Sequence, residues 1–291
     1  MSHRFYTLDV FTNTRFAGNP LAVFTDGDGL SDNAMQAIAR EMNLSETVFV
    51  QKPTDDEALA RLRIFTTQEE LKLAGHPVIG TWFLLAELGV VPAREGSVNI
   101  LQQTGAGVLP VEIHFKDGRP QRVTMTQKEA QFKPLTVKRA ALAKALGLSL
   151  QDLDSSLEPT CVSTGVFNLM VPLRNRAALG KIEMNMSELR RLIGQHATMA
   201  YCFALGSSGK AFTRGMLPWE LYEDAATGSA AGSLGAFLVK NGILAVGRSL
   251  HILQGVEMGR PSQIEVAVTQ SGKKLIPRVS GAAVRVFEGT I

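Results

Sequence analysis

Three side chains of types that transfer protons stand next to apolar segments of the sequence. Glu46 precedes the hydrophobic run 47–50, and His76 and Asp224 lie close to two glycine-led stretches further along the chain. Proton transfer needs a group whose pKa is near the working pH, placed by a rigid element in a partly dry cleft. Burial would raise the pKa of Glu46 above its usual value of about 4.3. Glu46, His76 and Asp224 are therefore candidates for proton transfer, and Glu46 has the most suitable setting; the alternatives are a solvated strand-end carboxylate and a satisfied core histidine.

The two glycine-led stretches resemble each other. Gly75 opens an apolar run that ends at Gly89, and Gly228 opens one that ends at Gly242, fourteen residues later in each case. Each run predicts a helix, and a helix N-terminus presents unpaired N–H groups that attract anions. We predict that both openings face one cleft and hold a carboxylate or a developing enolate, with Ser229 at the second opening. The alternative is that the glycines only permit a strand-to-helix turn and the serine only caps its helix.

Further landmarks recur around these openings in the same order. Asn19 precedes the first helix glycine at nearly the same distance along the chain as Asn168 precedes the second. An Ile-Leu-Gln triplet follows each glycine, again at nearly equal offsets, and the two triplets end at Gln102 and Gln254. Several landmarks at nearly fixed offsets predict two copies of one αβ unit, each with strands around one apolar helix.

The predicted fold class is α+β, with two pseudo-symmetric halves. We place the halves at residues 1–126 and 127–291, and we expect the final strand, at about 279–291, to pack back onto the first half. Each half would wrap a sheet around its own central helix.

Composition excludes several classes of protein. The 291 residues are 45% hydrophobic and 20% charged, and the net charge of +3 is dispersed, so we expect no nucleic-acid partner. The most apolar uncharged run, residues 77–86, is too short to cross a bilayer, and the first residues lack the apolar core of a signal peptide. The two cysteines, Cys161 and Cys202, have no CxxC spacing, which favours a cytoplasmic protein. The five histidines lack metal-ligand spacing, and no complete dinucleotide fingerprint occurs, so we expect no metal and no cofactor.

An ordered set of motifs resembles the PhzF family of phenazine-biosynthesis isomerases, through nearly the whole chain. The set is more specific than any one of its members. It comprises Asp9-Val10-Phe11-Thr12 with Gly18-Asn19-Pro20, the segment Asn43 to Phe49, Ala74-Gly75-His76-Pro77, the segment Glu223 to Ala230, and the segment Gln254 to Ser262.

This resemblance implies the diaminopimelate-epimerase-like fold, with the active site between the halves and a homodimer as the usual assembly. It implies that Glu46 is the general acid/base and moves a proton within the substrate without a cofactor. It also implies that His76, Asp224 and Ser229 line the site. The backbone amides of Gly75 and Gly228 would bind substrate at the helix starts. Asn19, in the Gly18-Asn19-Pro20 motif, is a further predicted substrate-binding residue.

Two departures narrow the expected chemistry. The related epimerases carry a cysteine just before each helix glycine, where this chain has Ala74 and Thr227. No thiolate pair can therefore straddle a substrate carbon, which disfavours a two-thiol racemase. The usual Asp-Pro of the second motif is Asp224-Ala225 here.

The sequence thus predicts a cofactor-independent isomerase that acts on a small carboxylate-bearing substrate, with Glu46 as the proton shuttle. The alternative, from a different class, is a non-catalytic small-anion-binding or partner-binding protein that keeps the cleft without the chemistry.

Overall fold

The computed structural model describes residues 2–135, 137–207, 209–219 and 222–291. Its helices are α1 (Asp32–Met42), α2 (Gly75–Glu87), α3 (Arg139–Ala145), α4 (Arg176–Gly180), α5 (Met186–Ile193) and α6 (Gly228–Lys240). The strands up to the middle of the chain are β1 (Arg4–Val10), β2 (Asn19–Phe24), β3 (Glu46–Gln51), β4 (Ala60–Phe65), β5 (Glu70–Leu71), β6 (Gly96–Thr104), β7 (Gly107–Lys116), β8 (Arg119–Thr126) and β9 (Gln131–Pro134). The later strands are β10 (Thr160–Ser163), β11 (Phe167–Pro172), β12 (Ala200–Leu205), β13 (Lys210–Leu217), β14 (Tyr222–Asp224), β15 (Ser249–Gln254), β16 (Ser262–Ser271), β17 (Lys274–Gly281) and β18 (Ala283–Thr290).

The chain divides into two compact units. The first unit is Met1–Thr126 together with Ser280–Ile291, and the second unit is Gln127–Val279. The last strand, β18, belongs to the first unit because it pairs antiparallel with β1 from Arg4↔Thr290 to Val10↔Ala283. Each unit has its own strands and its own helices.

The strands of both units pair in the same sequence. In the first unit β1 and β2 are antiparallel, β2 and β3 parallel, β3 and β4 antiparallel, and β4 lies parallel to β6 and antiparallel to β5. In the second unit β10, β11, β12, β13, β14 and β15 repeat these relations one for one. The long hairpin β6–β7 of the first unit corresponds to β15–β16 of the second. The repeated landmarks of the sequence therefore mark a repeated topology.

One helix in each unit is buried on nearly every side. The buried residues of α2 run from His76 to Ala86, and those of α6 include every residue from Ala230 to Leu238. A helix that is apolar all round must be enclosed by other elements, and strands of the same unit enclose both helices. Gly80 shows how tight this packing is, because a Cβ built there would lie 2.6 Å from Cγ2 of Val10 on β1.

A forked ion pair recurs at the strand that leads to each central helix. In the first unit Nε and Nη2 of Arg63 donate to the two carboxylate oxygens of Glu70, at 2.7 and 2.6 Å. In the second unit Arg214 donates in the same way to Glu223, at 3.0 and 2.7 Å. Two parallel bonds give an ion pair a defined geometry. The pairs therefore hold β5 and β14 in register just before the helices begin.

We expect the two pairs to differ in their contribution to stability because their exposure differs. Both side chains of the second pair are 13% exposed, whereas Glu70 in the first pair is 39% exposed. Glu223→Gln should lower the free energy of unfolding by about 3 kcal/mol or more, since it leaves a buried guanidinium without its counter-charge. The matched variant Glu70→Gln should cost about 1 kcal/mol or less, since solvent screens Glu70 and Arg63 keeps its ion pair with Asp32. Urea unfolding at pH 7 measures both, and equal losses would contradict the argument from burial.

Candidate active site

Glu46 is the first residue of β3 and lies shortly after the end of α1. Helix α1 ends at Asn43, which takes the left-handed conformation with φ 50°. Glu46 then pairs with Leu21 of β2, and the four residues that follow it in β3 are buried. The strand places the carboxylate in a largely dry environment, with its side chain 16% exposed.

His76 is the second residue of α2 and reaches the same place. Its Nε2 lies 3.3 Å from Oε2 of Glu46, and its side chain is 7% exposed. Burial lowers the pKa of His76 to about 3, against which a hydrogen bond to the backbone of Pro20 acts weakly. The imidazole is therefore neutral at neutral pH, and its contact with Glu46 is not an ion pair.

The hydrogen bonds of His76 decide which ring nitrogen carries the proton. Nε2 makes no hydrogen bond to the residues described, so the bond to Pro20 uses Nδ1. Proline has no backbone N–H, so the ring must donate to its carbonyl oxygen. Nε2 consequently presents a lone pair towards Glu46. This lone pair can accept a hydrogen bond from a protonated Glu46 carboxyl group, whose Oε2 lies 3.3 Å away.

Asn19 is the first residue of β2, the strand that pairs with the strand of Glu46, and it is buried. Its side-chain oxygen Oδ1 accepts a hydrogen bond from the hydroxyl of Ser45, at 3.3 Å, one residue before Glu46. The second unit has a similar contact, because the hydroxyl of Thr198 donates to Oδ1 of Asn168 at 3.0 Å. The contact ties the beginnings of two parallel strands together.

Asp9 organises the loop that delivers Asn19, and reasoning from the sequence did not single it out for this role. Its carboxylate is buried and accepts the backbone N–H of Phe16 at 2.6 Å. Within the loop, Phe11 and Phe16 have φ values of 64° and 68°. Such values strain a residue other than glycine, and they persist only where the surroundings impose them. The signal in the sequence was an acidic residue between two apolar residues of β1.

Both central helices begin with no side-chain cap. Among the residues described, neither Ala74 nor Thr227 makes a capping bond at the N-cap position, and neither first turn contains an acidic residue. The N–H groups of these turns therefore lack a neutralising side chain, which suits a carboxylate ligand. Gly75 and Gly228 are the first residues of their helices, and Ser229 is the second residue of α6, half-buried.

Asp224 ends β14, shortly before α6 begins. The hydroxyl of Thr227 donates to its Oδ2 at 2.5 Å, and the side chain of Gln254 hydrogen-bonds to its backbone carbonyl at 2.8 Å. Glu223, beside it in sequence, is held by Arg214 and has no part in this arrangement. Although the two acidic residues are adjacent in sequence, their different partners separate their roles.

Thr227 and Gln254 as hydrogen-bonding partners of Asp224 were missed from the sequence. The repeat offered a signal for the glutamine, since both Ile-Leu-Gln triplets end on a buried one. Gln102 accepts a hydrogen bond from the indole N–H of Trp82 at 2.7 Å, and Gln254 donates one to the backbone carbonyl of Asp224 at 2.8 Å. A buried glutamine at the same position in both copies indicates a structural polar contact in each unit.

The structure thus gathers the predicted residues into two groups. Glu46, His76, Asn19 and Gly75 belong to the first unit, and the imidazole and the carboxylate are in contact. Asp224, Gly228 and Ser229 belong to the second unit, around the start of α6. That the two groups serve one substrate remains a prediction.

The described residues were compared with what a metal site or a reactive thiolate needs. No group of three or more potential metal ligands occurs there. Burial raises the pKa of Cys161 to about 11 and that of Cys202 to about 12, so both are neutral thiols. Within the same residues no helix is long and apolar enough to span a membrane.

A shallow groove of about 370 Å³ lies elsewhere in the second unit. It is lined by Val166, Phe167, Gly194, His196, Ala197, Thr198 and Trp219. None of the predicted site residues lines it, so it has no bearing on the acid–base groups.

Comparison with known proteins identifies the relatives of this chain. Residues 8–289 match the model of a family described as phenazine biosynthesis-like protein. A trans-2,3-dihydro-3-hydroxyanthranilate isomerase from Pseudomonas chlororaphis is 36% identical, with 99% of each chain covered. The crystal structure of a Bacillus anthracis phenazine biosynthesis protein of the PhzF family superposes with a TM-score of 0.90 at 28% identity, over 100% of this chain and 99% of that one.

The same fold occurs in structures of much lower sequence identity. A probable proline racemase from Agrobacterium radiobacter superposes with a TM-score of 0.70 over 99% of this chain and 92% of that one, at 14% identity, which shows a shared fold alone. The protein therefore has the diaminopimelate-epimerase-like fold, and the predicted fold class is confirmed. The chain belongs to the phenazine biosynthesis-like PhzF family, and it is an isomerase. This finding favours the predicted enzyme over the alternative of a non-catalytic binding protein.

The buried imidazole predicts a specific loss of stability in acid. Unfolded His76 binds its proton near pH 6.5 and folded His76 only near pH 3, so lowering the pH through this window favours unfolding. Between pH 7 and pH 5 the loss from this group should be about 2 kcal/mol. His76→Gln should remove that part of the pH dependence, measured as the difference in urea unfolding free energy between pH 7 and pH 5.

His251→Gln is the matched control because His251 is exposed on β15. The control should lose stability between pH 7 and pH 5 as the wild type does. A wild-type pH dependence that survives in His76→Gln would show that His76 is not the buried neutral group described here.

Proposed function

We propose that this isomerase moves a proton within a small carboxylate-bearing substrate, with Glu46 as its single acid/base and without a cofactor. The contact of Glu46 with a buried, neutral imidazole is the observation that carries the proposal. A general base must hold a proton temporarily and release it at a second atom. Protonated Glu46 can donate a hydrogen bond to Nε2 of His76. An ionised Glu46 carboxylate would instead be repelled by the lone pair on that nitrogen. The imidazole thus strengthens Glu46 as a base while the proton is in transit.

The second unit supports a mechanism with one base. In each unit, the residue two positions after the buried asparagine pairs with a residue of the neighbouring parallel strand. In the first unit that partner is Glu46 on β3, and in the second unit it is Tyr201 on β12. Burial raises the pKa of this tyrosine far above its usual value, so it remains a neutral phenol. The positions of the epimerase cysteines hold Ala74 and Thr227. One carboxylate that takes and returns the same proton fits an isomerase better than two bases on opposite faces of a carbon.

The substrate class follows from the named relatives and from the helix starts. The relative from Pseudomonas chlororaphis is named for trans-2,3-dihydro-3-hydroxyanthranilate, a ring that carries a carboxylate, an amino group and a hydroxyl group. We propose that this chain acts on a compound of that class. The N–H groups at Gly75 and Gly228 would hold the carboxylate, and Ser229 and Asn19 would bind polar groups of the ring. Asp224 would accept a hydrogen bond from the amino or hydroxyl group.

The reaction balances without an external reagent. Glu46 removes a proton from one ring carbon, the electron pair shifts through the adjacent double bond, and the same proton is returned to a second carbon. No electrons leave the substrate, so the proposal needs neither a redox cofactor nor a metal. A homodimer and a cytoplasmic location remain predictions from the resemblance and the composition.

The test is isomerisation of trans-2,3-dihydro-3-hydroxyanthranilate followed by NMR in H2O and in D2O. Wild-type protein should convert it, and Glu46→Gln should lower kcat by roughly 10²- to 10⁴-fold, the range that general acid/base groups supply. Glu41→Gln is the matched control, because Glu41 is exposed near the end of α1. Near-wild-type turnover by a folded Glu46→Gln protein would reject the role of Glu46, and binding without turnover or exchange by the wild type would reject this substrate.

A further inference from the structure

A chain of side-chain hydrogen bonds ends on the Asp224 carboxylate. The hydroxyl of Thr213 donates to the phenol oxygen of Tyr201 at 3.0 Å, and the phenol donates to Oε1 of Gln254 at 2.8 Å. Nε2 of that glutamine donates to the hydroxyl of Thr227 at 3.0 Å, which donates to Oδ2 of Asp224 at 2.5 Å. The chain links β12, β13, β15 and the start of α6 to the end of β14.

Every donor in this chain is determined by its neighbours. Gln254 has two further backbone contacts, since Oε1 accepts the N–H of Thr227 at 3.2 Å and Nε2 donates to the carbonyl of Asp224 at 2.8 Å. Its amide therefore has one orientation, with the oxygen towards two donors and the nitrogen towards two acceptors. Because an amide nitrogen can only donate, the Thr227 oxygen receives that bond and its own hydrogen is left for the carboxylate. Within this series of hydrogen bonds, the Thr227 hydroxyl consequently donates to Asp224 alone.

Burial makes this arrangement rigid. Tyr201, Gln254 and Thr213 are fully or almost fully buried, and Tyr201 stays protonated because burial raises the pKa of its phenol. Opposite Asp224 on β13 lies Gly215, where a Cβ would stand 3.1 Å from both Gln254 Nε2 and Thr227 Oγ1. A side chain at that position would displace the polar atoms, so glycine leaves them their space.

We propose that Thr227 is a positioning residue that holds the Asp224 carboxylate in its working orientation. The proposal rests on the proposed role of Asp224 as a group that contacts substrate. Asp224 stands at the end of a strand, before a short connection to α6, where an aspartate side chain can choose between rotamers. A misplacement of about 1 Å in a substrate-contacting group costs on the order of 10²-fold in rate. The residue that replaces the epimerase cysteine thus acts through Asp224 rather than on the substrate.

Crystal structures of three variants test the positioning directly, with or without a substrate. Thr227→Val keeps the shape and removes the hydroxyl, Thr227→Ala is a second deletion in case the first fails to fold, and Thr227→Ser keeps the hydroxyl. We expect the Asp224 carboxylate to leave its position in the valine and alanine variants and to keep it in the serine variant. An unmoved carboxylate in Thr227→Val or Thr227→Ala would overturn the proposal.

Kinetics on trans-2,3-dihydro-3-hydroxyanthranilate supply the second readout, through a double-mutant cycle. Thr227→Val should lower kcat by about 10- to 100-fold, the equivalent of a hydrogen bond to a charged group, and Thr227→Ser should restore most of it. In an Asp224→Asn background Thr227→Val should cause little further loss. A full additional loss there, or normal kcat in Thr227→Val, would overturn the positioning role.

The same cycle separates this proposal from the proposed function. If Asp224→Asn alone retains wild-type kcat, the role of Asp224 in the reaction is wrong. If Asp224→Asn is impaired while Thr227→Val is not, the role of Asp224 stands and that of Thr227 fails.

Discussion

The central helices impose the constraint on which the rest of the structure depends. Helices α2 and α6 are apolar on nearly all sides, so strands must enclose them. Their N-terminal N–H groups need partners, and among the described residues no side chain caps either N-terminus. A ligand carboxylate is the natural partner for such groups. The burial of each helix and its uncapped start are the two features that favour the proposed carboxylate site at the first turns.

The two units repeat a topology without repeating a chemistry. His76 and Ser229 are equivalent, because each directly follows the glycine that begins its central helix. Leu71 in β5 is equivalent to Asp224 in β14, because each precedes that glycine by four residues. Counted from the buried asparagines, the place of Glu46 belongs to Tyr201 in the second unit. The forked arginine–glutamate pairs, in contrast, are present in both. Duplication thus preserved what holds each sheet together, while the ionisable groups near the helix starts diverged.

Much of this could be predicted from residues alone. The glycine-led runs, the paired asparagines and the Ile-Leu-Gln triplets marked a duplicated αβ unit, because the spacing of turns and apolar segments follows directly from topology. The setting of Glu46, an acidic residue at the start of an apolar strand, was visible for the same reason. The family resemblance then pointed to an isomerase, and the comparisons agree. In these cases local sequence and global fold point to the same answer.

The sequence by itself determined the elements, their duplication and the candidate residues, because hydrophobic period and turn residues act over short distances. Only the tertiary structure decided the state of those residues. It brought Nε2 of His76 within 3.3 Å of the Glu46 carboxylate from a distant part of the sequence, and burial made the imidazole neutral. It paired Glu223 with Arg214 in an ion pair and Asp224 with Thr227 in a hydrogen bond, because successive residues of a strand point to opposite faces. Protonation and hydrogen-bond direction depend on what surrounds a group in space, and no spacing along the chain records that.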